Sequence, residues 1–166
     1  MLRKAGYQSV YELGWDGNLP GFFVNLLLVT RALLRPVAFG VVGAVFDSEG
    51  RVLLVRQTYA RDWRLPGGAL GLGEAPEAAL RRELHEEVGL IGGRVRLFGL
   101  YARKLWWLTH VVALYVIEDG EIHFRPNPEV SAIRWEAPNM PSAGIAPSAA
   151  RRLAELAAGA QQDGRW

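Results

Sequence analysis

The stretch that decides the fold runs from Gly68 to Leu90 and reads GALGLGEAPEAALRRELHEEVGL. Pro76 suits the first turn of a helix, where its missing N–H costs nothing, and Gly89 suits the residue that ends one. The spacing therefore predicts a helix that runs from Pro76 to about Val88. Apolar residues four apart form one stripe on this helix, the side expected to face a sheet: Leu80, Leu84 and Val88.

Three carboxylates crowd one region of the predicted helix. Glu83 and Glu87 form an i,i+4 like-charge pair, which disfavours a helix by roughly 0.2–0.5 kcal/mol. With Glu86 they form an oxygen-rich group within reach of one point, which suits a hard divalent cation such as Mg²⁺. Taken alone, however, the pattern is more typical of an ordinary solvated helix face.

The surroundings of the three glutamates change that interpretation. The spacing is Gly, five residues, Glu, seven residues, and then Arg-Glu-Leu-x-Glu-Glu-x-Gly-Leu. It resembles the signature of the Nudix hydrolases at every specified position: Gly68, Glu74, Arg82, Glu83, Leu84, Glu86, Glu87, Gly89 and Leu90. The preceding WRLPGG and the later EVSAIRWEA are also similar to that family, so the resemblance covers residues 37–158.

The resemblance implies an α/β fold, an α/β/α sandwich with a mixed β-sheet. Alternating and β-branched apolar runs predict strands at 37–46, 51–57, 94–104, 107–118 and 129–137, and an amphipathic helix at 147–158. We expect a Nudix hydrolase domain over residues 36–160. We also expect an N-terminal extension over 1–35, with an extra apolar helix at about 21–35, and a frayed tail at 161–166.

The resemblance also implies a reaction, the hydrolysis of a nucleoside diphosphate linked to another moiety, with Mg²⁺ or Mn²⁺ as cofactor. The metal ligands implied by motif position are Glu83, Glu86, Glu87 and the carbonyl of Gly68. Arg82 is expected to orient a glutamate through an ion pair, and Glu74 to fix the loop. Bound cations would let a pyrophosphate approach the glutamates and would lower the pKa of a bound water.

The carboxylate that accepts the proton of the attacking water is left open by the sequence. Glu86 or Glu87 could accept it, and members of the family differ in where the base lies. Some place it on a loop outside the helix, where Glu129 is the matching candidate here. The alternative for Glu129 is an exposed glutamate at the start of a strand.

Residues outside the helix could hold the rest of the substrate. Arg56 and Arg64 could reach phosphates, although each also fits a surface or structural arginine. Trp106 and Trp107 lie where a base could stack, and alternation along a strand would turn one of them inward. His110 lies in an apolar strand and is expected to be a packed, hydrogen-bonded histidine. The subtype markers of the family are not matched, so the substrate is not identified.

Composition limits the partners and the compartment. The 166 residues include no Cys, which excludes disulfides and thiolate chemistry and fits a cytoplasmic protein. The net charge of +2 is too small to argue for nucleic acid, and no DNA is expected. The apolar stretch Phe22–Leu34 is shorter than the about 20 residues that span a bilayer. It fits a helix packed on the domain or on a second subunit of a homodimer, or a peripheral membrane contact.

The leading hypothesis is therefore a divalent-metal-dependent pyrophosphohydrolase. Its small-molecule substrate is a nucleoside diphosphate derivative: a nucleotide, a nucleotide sugar, an ADP-ribose-like compound or a dinucleotide. One alternative is an RNA 5′-end pyrophosphohydrolase. Another is a non-catalytic nucleotide-sensing regulatory module, which the intact signature disfavours.

Overall fold

The computed structural model describes residues 19–160 and 163–166. It divides into two compact units, one that ends at Pro36 and one that runs from Val37 to Trp166. In the first unit the described residues form helix α1 (Leu19–Leu34). The second unit contains β1 (Val37–Val45), β2 (Val52–Gln57), β3 (Trp63–Arg64), α2 (Pro76–Val88), β4 (Leu90–Leu105), β5 (Leu108–Ile122), β6 (Val130–Glu136) and α3 (Pro147–Ala158).

Helices α2 and α3 have the bounds that the sequence predicts, because local signals set both ends. Each begins with a proline, and each is followed by a glycine in the left-handed conformation. At Gly89, with φ 68°, the backbone N–H reaches the carbonyls of Leu84 and His85. A Cβ at Gly89 would also meet the backbone of His123, so glycine is needed for space as well as for conformation.

The strands form two three-stranded sheets. The first sheet is mixed, as expected, since β5 pairs parallel with β1 and antiparallel with β4. The second sheet is antiparallel, with β2 between β3 and β6. The short strand β3 lies where the sequence predicts only a loop, because two residues are too few to show a strand pattern. It pairs with β2, and Trp63 also donates to Gly144 O and accepts from Ala146 N.

Strands β4 and β5 form a hairpin that is longer than predicted. Leu105 pairs with Leu108, so Trp106 and Trp107 form a two-residue turn, with φ 53° at Trp106. Both tryptophans are exposed, in contrast to the expectation that one of them points inward. That expectation assumed a strand through both residues, whereas the chain reverses direction at them.

The core lies between the two sheets and the helices. Leu80, Leu84 and Val88 on α2 are fully buried and belong to a cluster with Val41 and Ile117 of the first sheet. A second cluster, which includes Leu153 of α3, lies elsewhere in the same unit: Ala44, Val52, Leu54, Leu65, Tyr101, Leu114 and Leu153. Because the apolar stripe of α2 faces the core, its neighbouring arc of glutamates is held in a fixed direction.

Helix α1 is apolar and exposed around its circumference. Its exposed side chains include Phe23 at 62% and Leu33 at 74% of their maximum. Within the described part of the chain, no helix is both long and apolar enough to cross a membrane. The rest of the predicted extension, residues 1–18, lies outside the described residues.

Residues 163–166 differ from the predicted frayed tail. Ala102 N donates to Gly164 O at 2.7 Å, and Trp166 N donates to Ala102 O at 3.2 Å, so the segment pairs with the free edge of β4. The ring of Trp166 packs on Tyr101 with centroids 5.7 Å apart. The sequence does not reveal these contacts, because the partner strand lies about sixty positions earlier in the chain.

Candidate active site

Glu87 is the most buried carboxylate of the predicted site, with 3% of its surface exposed. Its Oε2 accepts a hydrogen bond of 2.7 Å from the backbone N–H of Gly67, and Gln57 also hydrogen-bonds to it. Burial, followed by the negative charges of Glu83 and Glu129, raises the pKa of Glu87 to about 7. Because their charges act on Glu87, Glu83 and Glu129 belong with it to one anionic group.

Gly67 and Gly68 bring the backbone close to these glutamates. A Cβ at Gly68 would collide with the carboxylate of Glu83, so the absence of a side chain leaves room for that group. The carbonyl of Gly68 accepts a hydrogen bond of 2.9 Å from Val41 N. A carbonyl oxygen has two lone pairs, so a second acceptor position is available to a cation.

Arg82 links three glutamates and the loop that precedes α2. Its guanidinium donates to both oxygens of Glu74 at 2.9 Å, to Glu83 at 2.8 Å and to Glu86 at 3.4 Å. A further bond of 3.2 Å reaches Ala69 O. Hydrogen bonds from Arg82 lower the pKa of Glu74 to about 2, and Glu74 in turn accepts from Gly71 N at 2.8 Å. These contacts fix the position of the loop before α2 relative to the helix.

Asn127 positions the loop that carries Glu129, and sequence reasoning missed it. Its Nδ2 donates to Glu87 O at 3.0 Å, and its Oδ1 accepts from the backbone N–H groups of Glu129 and Val130. The loop is thereby attached to the C-terminal end of α2. The only signal in the sequence was an asparagine placed to form a local side-chain turn two residues before a glutamate.

The donor chemistry of the site fits a divalent cation. Within residues 19–160 and 163–166, no three His, Asp or Glu side chains already lie around one point in the positions of metal ligands. Glu83 and Glu87 are instead directed to Arg82 and Gly67. Their free ligand atoms are all hard oxygens, the type that Mg²⁺ and Mn²⁺ prefer. A bound cation would offset the burial and the neighbouring negative charges that raise the pKa of Glu87.

Two other polar residues of α2 face away from this group. Arg81 pairs with Glu77 at 3.0 Å and donates to the carbonyl of Gly92 at 3.2 Å. His85 Nδ1 lies 3.3 Å from Leu90 O. Both therefore connect α2 to the start of β4 and have no contact with the three predicted metal ligands among the described interactions.

A cavity of about 330 Å³ lies beside Gly68. Of the three predicted substrate contacts, Arg64 lines it. Arg56 instead lies over the ring of Trp63 at 5.3 Å, and Trp107 lies in the β4–β5 turn. The polar and aromatic side chains that line this cavity among the described residues are Gln57, Arg64, Arg103, His110, Ser148 and Trp166.

His110 presents a hydrogen-bond donor to this region. Arg103 Nε donates to His110 Nδ1 at 3.1 Å. Since a guanidinium can only donate, Nδ1 must be the acceptor, and the proton of the neutral ring is on Nε2. Burial and the charge of Arg103 lower the pKa of His110, which favours this neutral form. A Cβ on Gly40 would lie 3.1 Å from His110 Nε2 and 3.3 Å from Gly68 O. The Nε2–H of His110 and the carbonyl of Gly68 therefore both lie next to Gly40 of β1.

Gly67→Ala is expected to lower the free energy of unfolding by about 2–4 kcal/mol, because it combines backbone strain with a steric conflict. Gly67 has φ 140°, and its Cβ would collide with the backbone of Val41 and Val42. Gly73→Ala is the matched control, since φ is 71° there but a Cβ meets nothing within 4 Å. Urea denaturation measures both variants, and equal losses would refute the steric part of the explanation.

Comparison with known proteins identifies the family of this chain. A sequence model of the NUDIX domain matches residues 34–156. A MutT-like protein of Streptomyces ambofaciens is 32% identical over 120 residues, which cover 72% of this chain and 77% of that protein. An RNA pyrophosphohydrolase of Actinobacillus succinogenes is 46% identical over 66 residues, but the match spans only 39% of this chain and 32% of that protein.

Solved structures show the same fold. A MutT NUDIX hydrolase from Burkholderia pseudomallei superposes with a TM-score of 0.65 at 22% identity, covering 74% of this chain and 99% of that one. A UDP-X diphosphatase gives a TM-score of 0.55 at 21% identity, covering 86% and 73%. The mixed sheet with its helices is thus the α/β fold of NUDIX hydrolases. The chain belongs to the NUDIX domain family, whose enzymes act on pyrophosphate bonds.

Proposed function

We propose that this chain is a divalent-metal-dependent pyrophosphohydrolase that cleaves the diphosphate linkage of a nucleoside diphosphate derivative. The observation that carries the proposal is the position of the α2 glutamates. Glu83 and Glu87 converge on Gly67 and Gly68, and these two glycines also line a cavity that contains Arg64 and other hydrogen-bond donors. An anionic group that can hold cations therefore adjoins a donor-rich space that can hold phosphates.

The proposed roles follow from the contacts of each residue. Glu83, Glu86, Glu87 and the Gly68 carbonyl would hold Mg²⁺ or Mn²⁺, which supplies charge neutralisation and a more acidic bound water. Arg82 positions Glu83 and Glu86 through its ion pairs. Arg64 and His110 Nε2 donate to the bound anion. The candidates for the proton acceptor are Glu86, Glu87 and Glu129.

Glu86→Gln tests this proposal. Phosphate release from a panel of nucleoside diphosphate derivatives is measured with Mg²⁺, with Mn²⁺ and with chelator. The variant is expected to turn over the best substrate about 10²-fold more slowly, because one cation ligand of the group is lost. Glu118→Gln is the matched control, since Glu118 is exposed on β5 and pairs with Arg94. Equal rates for Glu86→Gln and the unchanged protein would refute the metal-site assignment.

An RNA 5′ end is the second candidate substrate. It is supported by three RNA pyrophosphohydrolases that share 37–46% identity with this chain over 66–76 residues. The chain spans only 32–43% of the length of those proteins, so their activity is a proposal for this one. Adding a 5′-triphosphate RNA oligonucleotide to the panel compares the two substrate classes directly. Binding of a nucleotide without turnover of any compound would instead support the regulatory module.

Helix α1 is proposed to contact a second subunit or, alternatively, a membrane surface. The exposed apolar side chains support a contact of either kind, since large exposed apolar patches mark interaction sites. A sizing column and liposome flotation distinguish these roles. A cytoplasmic location, expected from the lack of cysteine, stays a prediction.

A further inference from the structure

The segment Asp163–Trp166 places a tryptophan ring in the wall of the cavity beside Gly68. Trp166 lines this cavity together with Arg64, Arg103 and His110. Its backbone is paired with Ala102 on the edge of β4. The position of the ring is thus set by a sheet contact.

A buried polar network holds the segment from the inner side. Arg152 and Glu155 of α3 are each 1% exposed and form an ion pair of 2.9 Å. Arg152 Nη1 also donates to Arg165 O at 2.8 Å, and Tyr101 Oη donates to Glu155 Oε2 at 2.6 Å. Burying two charges is costly, so a pair of this kind is weak evidence for stability alone. None of these groups contacts the glutamates of α2 in the described interactions, and the network reaches the 163–166 segment.

The same network orients the ring of Trp166. The guanidinium of Arg152 lies 4.0 Å from the ring centre of Tyr101 and 5.5 Å from that of Trp166. Tyr101 meets Trp166 nearly at right angles, with an interplanar angle of 69°. Two buried side chains therefore support the indole from the core, and Trp166 also lines the cavity.

The polar residues that line the cavity differ in chemistry from the tryptophan. Arg64, Arg103 and the Nε2–H of His110 offer hydrogen-bond donors, and His110 lies near Gly68. Donors near Gly68 suit phosphate oxygens, whereas an indole suits a planar, weakly polar group. The arrangement matches a nucleotide whose phosphate lies toward Gly68 and whose base lies on Trp166.

We propose that Trp166 is the base-stacking platform of this site and determines its preference for substrates that carry a planar base. The inference rests on the proposed function for the position of the phosphates. Base binding can nevertheless be measured without turnover, because a nucleoside 5′-monophosphate has no phosphoanhydride bond to cleave. The two ideas can therefore fail separately.

Calorimetric titration with Mg²⁺ tests the platform. The probes are AMP, GMP, CMP and UMP, with ribose 5-phosphate as the probe without a base. Trp166→Ala is expected to weaken the best-bound monophosphate by roughly 5- to 150-fold, the range of one base–aromatic stack, and to leave ribose 5-phosphate unchanged. Trp166→Phe should recover most of the affinity. Met140→Ala is the control, because Met140 is a large exposed side chain outside the lining of this cavity, and it should bind every probe like the unchanged protein.

Three outcomes would overturn the platform. In the first, Trp166→Ala binds all four monophosphates as tightly as the unchanged protein. In the second, the unchanged protein binds none of them more tightly than ribose 5-phosphate. In the third, Trp166→Ala and Trp166→Phe weaken ribose 5-phosphate as much as the monophosphates, which would indicate a general collapse of the cavity. A failure of the proposed function has a different signature, an absence of turnover across the substrate panel while the monophosphates still bind.

Discussion

Glu87→Gln is expected to slow pyrophosphate hydrolysis by about 10²–10⁴-fold, the range over which a positioned acid–base group contributes. Glu87 is buried and hydrogen-bonded to Gly67 N, so its carboxylate has a fixed direction. A glutamine keeps the shape but loses the negative charge and the ability to accept a proton. The effect should exceed that of Glu86→Gln, because Glu86 is exposed and its side chain makes one ion pair, of 3.4 Å with Arg82, among the described contacts.

The same substitution is expected to stabilise the metal-free protein above pH 7. Burial and the charges of Glu83 and Glu129 raise the pKa of Glu87 from 4.5 to about 7, so the folded state binds more protons than the unfolded state between these values. The free energy of unfolding of the unchanged protein therefore falls as pH rises from about 4.5 to about 7, by roughly 2–4 kcal/mol from this residue. Glutamine has no proton to lose, so Glu87→Gln should lack this loss.

Urea denaturation with chelator at pH 5 and pH 8 measures the effect. Glu118→Gln should keep the pH dependence of the unchanged protein, because Glu118 is exposed and remote from the glutamates of α2 in the described contacts. Adding Mg²⁺ at pH 8 should restore stability to the unchanged protein more than to Glu87→Gln, since a ligand stabilises only the state that binds it. The same pH dependence in Glu87→Gln and the unchanged protein would contradict the account.

Local signals explain why much of this site could be predicted. Pro76 and Gly89 set the ends of α2, and the leucine stripe sets its orientation, so the arc of glutamates follows from one helix. Arg82 and Glu74 are eight positions apart, with only Ala75 and the first turns of α2 between them. Interactions between residues so close in the chain can be predicted from the spacing of those residues in the sequence.

The other parts of the site depend on pairings that the sequence does not encode locally. Gln57 reaches Glu87 from β2, and Asn127 reaches the end of α2 from forty positions away. Arg103 and His110 face each other only because the β4–β5 register pairs them. The position of Trp166 in the cavity wall has the same origin, because its edge pairing with Ala102 leaves no pattern in the sequence.

Arg152→Met is expected to lower the free energy of unfolding by about 3–5 kcal/mol, the usual effect of breaking a buried ion pair. It leaves the carboxylate of Glu155 buried with the hydroxyl of Tyr101 as its remaining described side-chain partner. Arg151→Met is the matched control, because Arg151 is the exposed neighbour on the same helix, and it should change stability by no more than about 0.5 kcal/mol. Equal stabilities of the two variants in urea would contradict the role of the pair.

A triple variant separates the stability of this network from its position beside the cavity. Arg152→Met, Glu155→Leu and Tyr101→Phe together replace the buried polar groups with apolar ones of similar volume, which is often neutral or stabilising. Stability should therefore recover relative to Arg152→Met alone. The bond from Arg152 to Arg165 O is lost in both, so the segment 163–166 keeps only its pairing with β4. If the network exists to hold Trp166, the triple variant should be as stable as the unchanged protein yet bind nucleoside monophosphates more weakly. Full recovery of both properties would show that the pair has no part in positioning the ring.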